Sequence, residues 1–191
     1  MFDLDEDGIL NLEKGCVIWL TGLPSSGKTT IARAVERELR KKGFRVEVLD
    51  GDEVRKWLSP REGFTREDRE RHLRRVAHVA KLLARNGVIV LCSFVSPYRK
   101  IRREVRKIIE SENIPFIEVY VKCSLEECMK RDPKRLYKRA LSGEIKHMTG
   151  IDDPYEEPEN PGLILDTEIE NIEENVDILT SRIHRLLIEN R

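Results

Sequence analysis

The sequence contains no glutamine, and its 191 residues carry no surplus of either charge: 35 lysines and arginines balance 35 aspartates and glutamates. Such a balance gives no support to a strongly basic face for nucleic acid or to an acidic tail. Charged side chains nevertheless make up 37% of the chain, against about 25% in an ordinary domain. Dense paired charge with few labile amides is a pattern of heat-adapted proteins. Cysteine is scarce too. Cys16, Cys92, Cys123 and Cys128 form no C-x-x-C pair and fall in or beside apolar segments, which favours buried, reduced thiols over a zinc site or a disulfide framework. No apolar run approaches the ~18 residues that span a bilayer, and the acidic start is unlike a secretory leader. No membrane association and a cytoplasmic location are therefore expected. The length suits one domain with a full hydrophobic core.

What is present begins with Val17-Ile18-Trp19-Leu20-Thr21, an apolar, β-branched run that reads as a buried strand. It leads into Gly22-Leu23-Pro24-Ser25-Ser26-Gly27-Lys28-Thr29-Thr30, and Ile31, Ala34, Val35 and Leu39 then recur with helical spacing. A G-x-x-x-x-G-K-[ST] loop between a strand and a helix is a phosphate-binding loop. Gly22 and Gly27 permit backbone angles that let successive N–H groups, including those of Ser25, Ser26 and Thr30, turn toward phosphate oxygens. The helix N-terminus reinforces this. Lys28 is placed to reach the outer phosphates, and the Thr29 hydroxyl to ligate the magnesium ion of a nucleoside triphosphate.

Farther on, strand and helix signals alternate. Strands are expected at 45–49, 88–92, 115–121 and 163–165, and helices near 53, from 65 to about 85, at 98–111, at 124–131 and along 172–186. This rhythm predicts an α/β fold of the P-loop NTPase type: a parallel sheet with helices on both faces. Residues 1–14 read as a solvated lead-in, their Asp5-Glu6-Asp7-Gly8 lacking the rest of a calcium loop, and 15–191 as one domain. Between about 132 and 161 the rhythm breaks into a basic and then an acidic, proline-rich stretch, read as a lid insertion. Asp50-Gly51-Asp52 follows a strand, so it is either a helix-capping turn or part of a ligand site at the carboxyl edge of the sheet. Arg66, Arg69, Arg71, Arg74 and Arg75 crowd one helix, as an ion-paired face or in part as anion ligands.

In order, the motifs Leu49-Asp50-Gly51-Asp52-Glu53-Val54-Arg55, Gly63-Phe64-Thr65-x-x-Asp68-Arg69, Ser93-Phe94-Val95-Ser96-Pro97-Tyr98-Arg99, Arg131-Asp132-Pro133-Lys134 and Thr149-Gly150-Ile151-Asp152 resemble those of adenylylsulfate kinases. The resemblance runs from about residue 15 to the C-terminus. It implies ATP and Mg²⁺ as cofactors and phosphoryl transfer to the 3′-hydroxyl of adenosine 5′-phosphosulfate, as in sulfate assimilation. It further implies that Asp52 orients or deprotonates that hydroxyl, that Arg55, Arg69, His72, Val95 and Ser96 hold the phosphosulfate nucleotide, and that Lys134 closes over it. Phe64 and Met148 would cover its adenine, and Arg131 the adenine of ATP. Three positions depart from the family pattern: His72 for Asn, Met148 for an aromatic, and Arg135 for Gly. A serine matching Ser96 has been described in the family as a phosphoryl carrier, but residues 94–98 offer no acid, His or Lys as its base. Direct transfer is expected, with Pro97 holding Ser96 extended. The acceptor is the one partner implied, with a homodimer left open. Another small-molecule kinase, or a nucleotide-binding regulator without turnover, remain as alternative functions.

Overall fold

The computed structural model describes residues 12–189, so residues 1–11 of the lead-in, with Asp5-Glu6-Asp7-Gly8, lie outside the described residues. Five strands, β1 (Cys16–Thr21), β2 (Val46–Asp50), β3 (Ile89–Ser93), β4 (Phe116–Lys122) and β5 (Leu163–Asp166), form one sheet in the order β2-β3-β1-β4-β5. Every pairing is parallel. Among the described residues seven helices accompany them: α1 (Lys28–Lys41), α2 (Gly51–Leu58), α3 (Arg66–Ala84), α4 (Arg99–Glu110), α5 (Leu125–Arg131), α6 (Leu136–Leu141) and α7 (Ile172–Glu189).

Alternation along β1 builds two cores. Cys16, Ile18 and Leu20 face α1 and α7, meeting Ile31, Val35, Leu39, Val176, Leu179 and Ile183. Val17 and Trp19 point the other way, onto Leu73, Val76 and Ala77 of α3 and Ile101 and Val105 of α4. With both sheet faces covered, β1 has no polar face to show. Each such large apolar side chain contributes about 1.5–3 kcal/mol by leaving water. The expected stripe on the closing helix holds except at Ile172, which is 54% exposed because it opens α7 before the helix reaches the sheet.

Inside the segment read as an irregular lid, the structure has a helix, α6, whose Tyr137 is buried and donates from its hydroxyl to Pro24 O at 3.0 Å. Tyr137, Met148, Cys123 and Cys128 make a third, smaller core beside the phosphate loop. The lid is therefore packed on the domain through its own apolar residues. All four cysteines are free and buried.

Candidate active site

β1 ends by aiming the loop 22–27 at the start of α1. At Gly22 a Cβ would lie 2.5 Å from Val121 O and 2.8 Å from Ser26 Oγ, so no other residue fits. Gly27 caps α1 at φ +97°, a left-handed conformation suited to glycine. Lys28 is buried and donates to Gly22 O (3.0 Å), Leu23 O (2.6 Å) and Ser26 Oγ (3.3 Å). Burial pulls its ammonium down to about 8, against nearby groups including Asp50 and Asp52 that hold it up.

The two carboxylates of Asp50-Gly51-Asp52 are placed differently, and both line the cavity at the carboxyl edge of the sheet. Asp50 caps α2, its Oδ1 accepting from Asp52 N (3.0 Å) and Glu53 N (3.3 Å). The other oxygen, Oδ2, accepts from Thr29 Oγ1 at 2.7 Å, and Ser93 Oγ lies 3.0 Å from the same hydroxyl. Asp52 instead projects from the first turn of α2 and accepts from Lys134 Nζ of the lid. That bond holds the Lys134 ammonium above its ordinary range.

A cavity of about 650 Å³ opens at the carboxyl edge of the sheet. It brings together Ser25, Gly27, Lys28, Thr29, Thr30, Asp52, Arg55, Phe64, Arg69, His72, Val95, Ser96, Lys134 and Met148, all expected from the sequence. Phe64 is half exposed, with the guanidinium of Arg55 4.7 Å and that of Arg69 5.4 Å from its ring centre. Of the crowded arginines on α3, Arg66, Arg71, Arg74 and Arg75 are spent on Glu70, Glu62, Asp68 and Glu104. Arg69 alone of the five lines the cavity. Gly22, Ser26 and Arg131 do not line it. Arg131 sits across the phosphate loop, bonded to Thr167 Oγ1 (3.0 Å) and Thr167 O (2.7 Å), while Thr167 Oγ1 donates to Ser26 O at 3.1 Å.

His72 is buried under this cavity. Ser59 Oγ accepts from Arg75 Nη1 at 3.0 Å and so can donate to His72 Nδ1 at 2.9 Å. This puts the proton of the neutral ring on Nε2, which has no partner. Burial, aided by Arg55 and Arg75, lowers the ring to about 4.

Ser96 corrects one expectation. Its φ is +39°, left-handed rather than extended, in spite of Pro97. Tertiary bonds override the local preference: Trp19 Nε1 donates to Ser96 Oγ at 3.1 Å and Arg102 Nη1 to Ser96 O at 2.7 Å. Sequence reasoning missed Asp50 as a partner of Thr29, and also Ser93, Thr167 and Arg102. The position of Asp50 at the end of a strand beside the loop was the available signal.

A phosphate loop with its lysine and hydroxyl, facing a carboxylate across one cavity at the edge of a parallel sheet, defines a P-loop phosphotransferase. The family model described as adenylylsulphate kinase matches residues 14–166. The probable adenylyl-sulfate kinase of Aeropyrum pernix is 61% identical over 176 residues, covering 92% of this chain and 96% of that protein. The APS kinase of Mycobacterium tuberculosis in complex with AMPPNP and APS superposes with a TM-score of 0.84 at 42% identity, over 92% of this chain and 99% of that one. A hexameric APS kinase from Thiobacillus denitrificans gives a TM-score of 0.68 at 31% identity, over 91% of this chain and 29% of that one. The chain belongs to the adenylylsulphate kinase family.

Proposed function

We infer that this protein transfers the γ-phosphoryl group of ATP to the 3′-hydroxyl of adenosine 5′-phosphosulfate, giving 3′-phosphoadenylyl sulfate and ADP in sulfate assimilation. The observation that carries the reading is that Lys28 and Thr29, which fit a triphosphate, share one cavity with Asp52 and with an aromatic ring flanked by two guanidiniums. Phosphoryl transfer asks for positioning and for positive charge around the moving group, and that arrangement supplies both.

On this reading the backbone of Gly22, Ser25, Ser26, Gly27 and Thr30 cradles the phosphates, Lys28 bonds the transferring group, and Arg131 lies beside the adenine of ATP. Asp52 takes the proton of the 3′-hydroxyl as its oxygen attacks phosphorus and ADP departs. Arg55, Arg69, the Nε2–H of His72 and the backbone at Val95 and Ser96 hold the phosphosulfate. Phe64 stacks on the acceptor base and Met148 meets its other face. Lys134, bonded to Asp52 in this structure, exchanges that carboxylate for the acceptor when substrate arrives. Residues 15–191 act as one kinase domain with its lid at about 132–161.

Magnesium fits the oxygen donors at Thr29, with Asp50 and Ser93 behind it. Among the described residues no group of three acidic, His or Cys side chains forms a cage, in keeping with an ion held mostly by phosphates and water. When bound, it neutralises charge on the β- and γ-oxygens. Among the described residues no helix is long and apolar enough to cross a membrane, and we assign the protein to the cytoplasm, where ATP is made. The hexameric relative argues for self-association. We propose a homodimer, to be checked by light scattering.

The deciding experiment is ADP release with and without adenosine 5′-phosphosulfate. Strong stimulation by that acceptor is expected. Stimulation only by a different hydroxyl compound, or no turnover with any, overturns the reading.

A further inference from the structure

Arg102 lies on α4, behind the acceptor side of the cavity. It is 3% exposed, where a charged side chain needs partners for each group it buries. Nε bonds Glu118 Oε1 of β4 at 2.6 Å, Nη1 bonds Ser96 O at 2.7 Å, and Nη2 bonds Glu156 O at 2.6 Å. One planar fork thus ties three segments that are far apart in sequence: the sheet, the loop 94–97, and the return limb of the lid. The limb is stitched to the same loop by Glu156 N on Pro97 O (2.8 Å) and by Arg99 N on Glu156 Oε2 (2.7 Å).

Thr21 closes the circuit from the phosphate-loop side. Its hydroxyl donates to Val95 O at 2.8 Å, so the Tyr155 hydroxyl 3.0 Å away donates to it in turn. The Arg102 guanidinium lies 5.9 Å from the centre of the Tyr155 ring. Ser96, meanwhile, keeps a left-handed backbone that a side chain disfavours and that the following proline disfavours further. Such a conformation persists only where surrounding bonds over-determine it. Arg102 Nη1 is the charged donor among those bonds.

We propose that Arg102 is a positioning residue for the acceptor. By holding the carbonyls of Ser96 and Glu156 on one rigid fork, it sets the Val95–Ser96 backbone that lines the cavity and fixes the lid's return limb against it. The alternative is that Arg102 merely neutralises Glu118 in the interior. The proposal rests on the function inferred above in naming the acceptor, but the geometry is independent of it.

Two variants separate these roles. Arg102→Lys keeps the charge beside Glu118 but has a single nitrogen and cannot span both carbonyls. Glu118→Gln removes the ion pair and keeps both carbonyl bonds. We expect Arg102→Lys to raise the KM for adenosine 5′-phosphosulfate by about tenfold or more, with the KM for ATP within about twofold. Glu118→Gln should lower thermal stability while leaving the acceptor KM within about threefold. Equal acceptor KM changes in the two variants, or an equal rise of both KM values in Arg102→Lys, would overturn the proposal. A second readout does not depend on turnover. In a Trp57→Phe background, Trp19 emission reports its contact with Ser96 Oγ. That emission should shift in Arg102→Lys and not in Glu118→Gln, even if the acceptor proves to be another compound; no shift, or a shift in both, counts against Arg102 holding the Ser96 turn.

Discussion

The Thr29 hydroxyl donates to Asp50 Oδ2 at 2.7 Å, while the other oxygen of the same carboxylate caps the helix that carries Asp52. One side chain thus joins the proposed magnesium ligand to the proposed base. Asp50→Asn can keep the cap through its remaining oxygen but presents N–H where Thr29 needs an acceptor. The half-saturating Mg²⁺ concentration should rise about tenfold and kcat should fall about a hundredfold, with the helix retained. A magnesium titration of the variant that overlays the wild type would remove Asp50 from the site.

Lys28 gives a pH signature as well as a loss. Because burial depresses its pKa to about 8, the free enzyme loses the ammonium as pH rises through that value, whereas an ordinary lysine would keep it to about 10.4. Bound triphosphate favours the charged form, so the KM for ATP should climb above pH 8 while kcat changes less. A flat KM up to pH 10 would count against the loop lysine as the phosphate contact. Lys28→Ala should leave less than about a tenth of wild-type turnover.

Phe64→Ala should raise the KM for adenosine 5′-phosphosulfate by about fivefold to a hundredfold, since aromatic stacking on a base is worth about 1–3 kcal/mol. The KM for ATP should hardly move. Equal changes in both would mean that the two adenine positions have been exchanged.

His72 links the site to acid stability. Its folded pKa of about 4 lies below the ordinary value of 6.5, so between those values the unfolded chain binds the extra proton. Stability is full above pH 6.5 and is lost as pH falls toward 4. His72→Asn removes this titration. The melting temperature of the wild type should drop between pH 7 and 5 by at least about 2 °C more than that of the variant, and parallel curves would show the ring to be charged or exposed. The acceptor KM of the wild type should show no histidine step between pH 5.5 and 8, because the ring stays a neutral donor there.

The legible parts of this molecule are those in which one sequence signal governs one short segment. The strand at 17–21, its loop and its helix appear within a few residues of their expected places because apolar pattern, glycine spacing and capping all agree there. The arginines of α3 show the limit. Five identical side chains with helical spacing cannot reveal that four meet carboxylates, two of those on other elements, and that only Arg69 turns into the cavity. Helix α6 was hidden because it is stabilised by Tyr137 packing beneath Pro24, a contact between residues 113 apart. The Thr29–Asp50 bond and the left-handed Ser96 have the same origin, in tertiary partners that override local preference.

Ser96 tests the chemistry itself. A phosphoserine route needs Oγ free to attack in line with a base beside it. Here Oγ is buried, accepts from Trp19 Nε1 at 3.1 Å, and lies 3.4 Å from Phe94 O, the acceptor for its own proton. The neighbours Phe94, Val95, Pro97 and Tyr98 include no acid, His or Lys to take that proton. Asp52, by contrast, is exposed in the cavity with the lid lysine as its partner. This geometry is the ground on which direct transfer is proposed. Ser96→Ala should leave kcat and the acceptor KM within about tenfold, because the backbone rather than Oγ is assigned to the acceptor. It should also lower the melting temperature, because Trp19 Nε1 is left as a buried donor without its acceptor, a loss of about 1–3 kcal/mol. Chiral γ-phosphate should emerge inverted after the single displacement. Net retention, or near-complete loss of turnover in a folded Ser96→Ala, would establish a covalent intermediate in place of the one-step path.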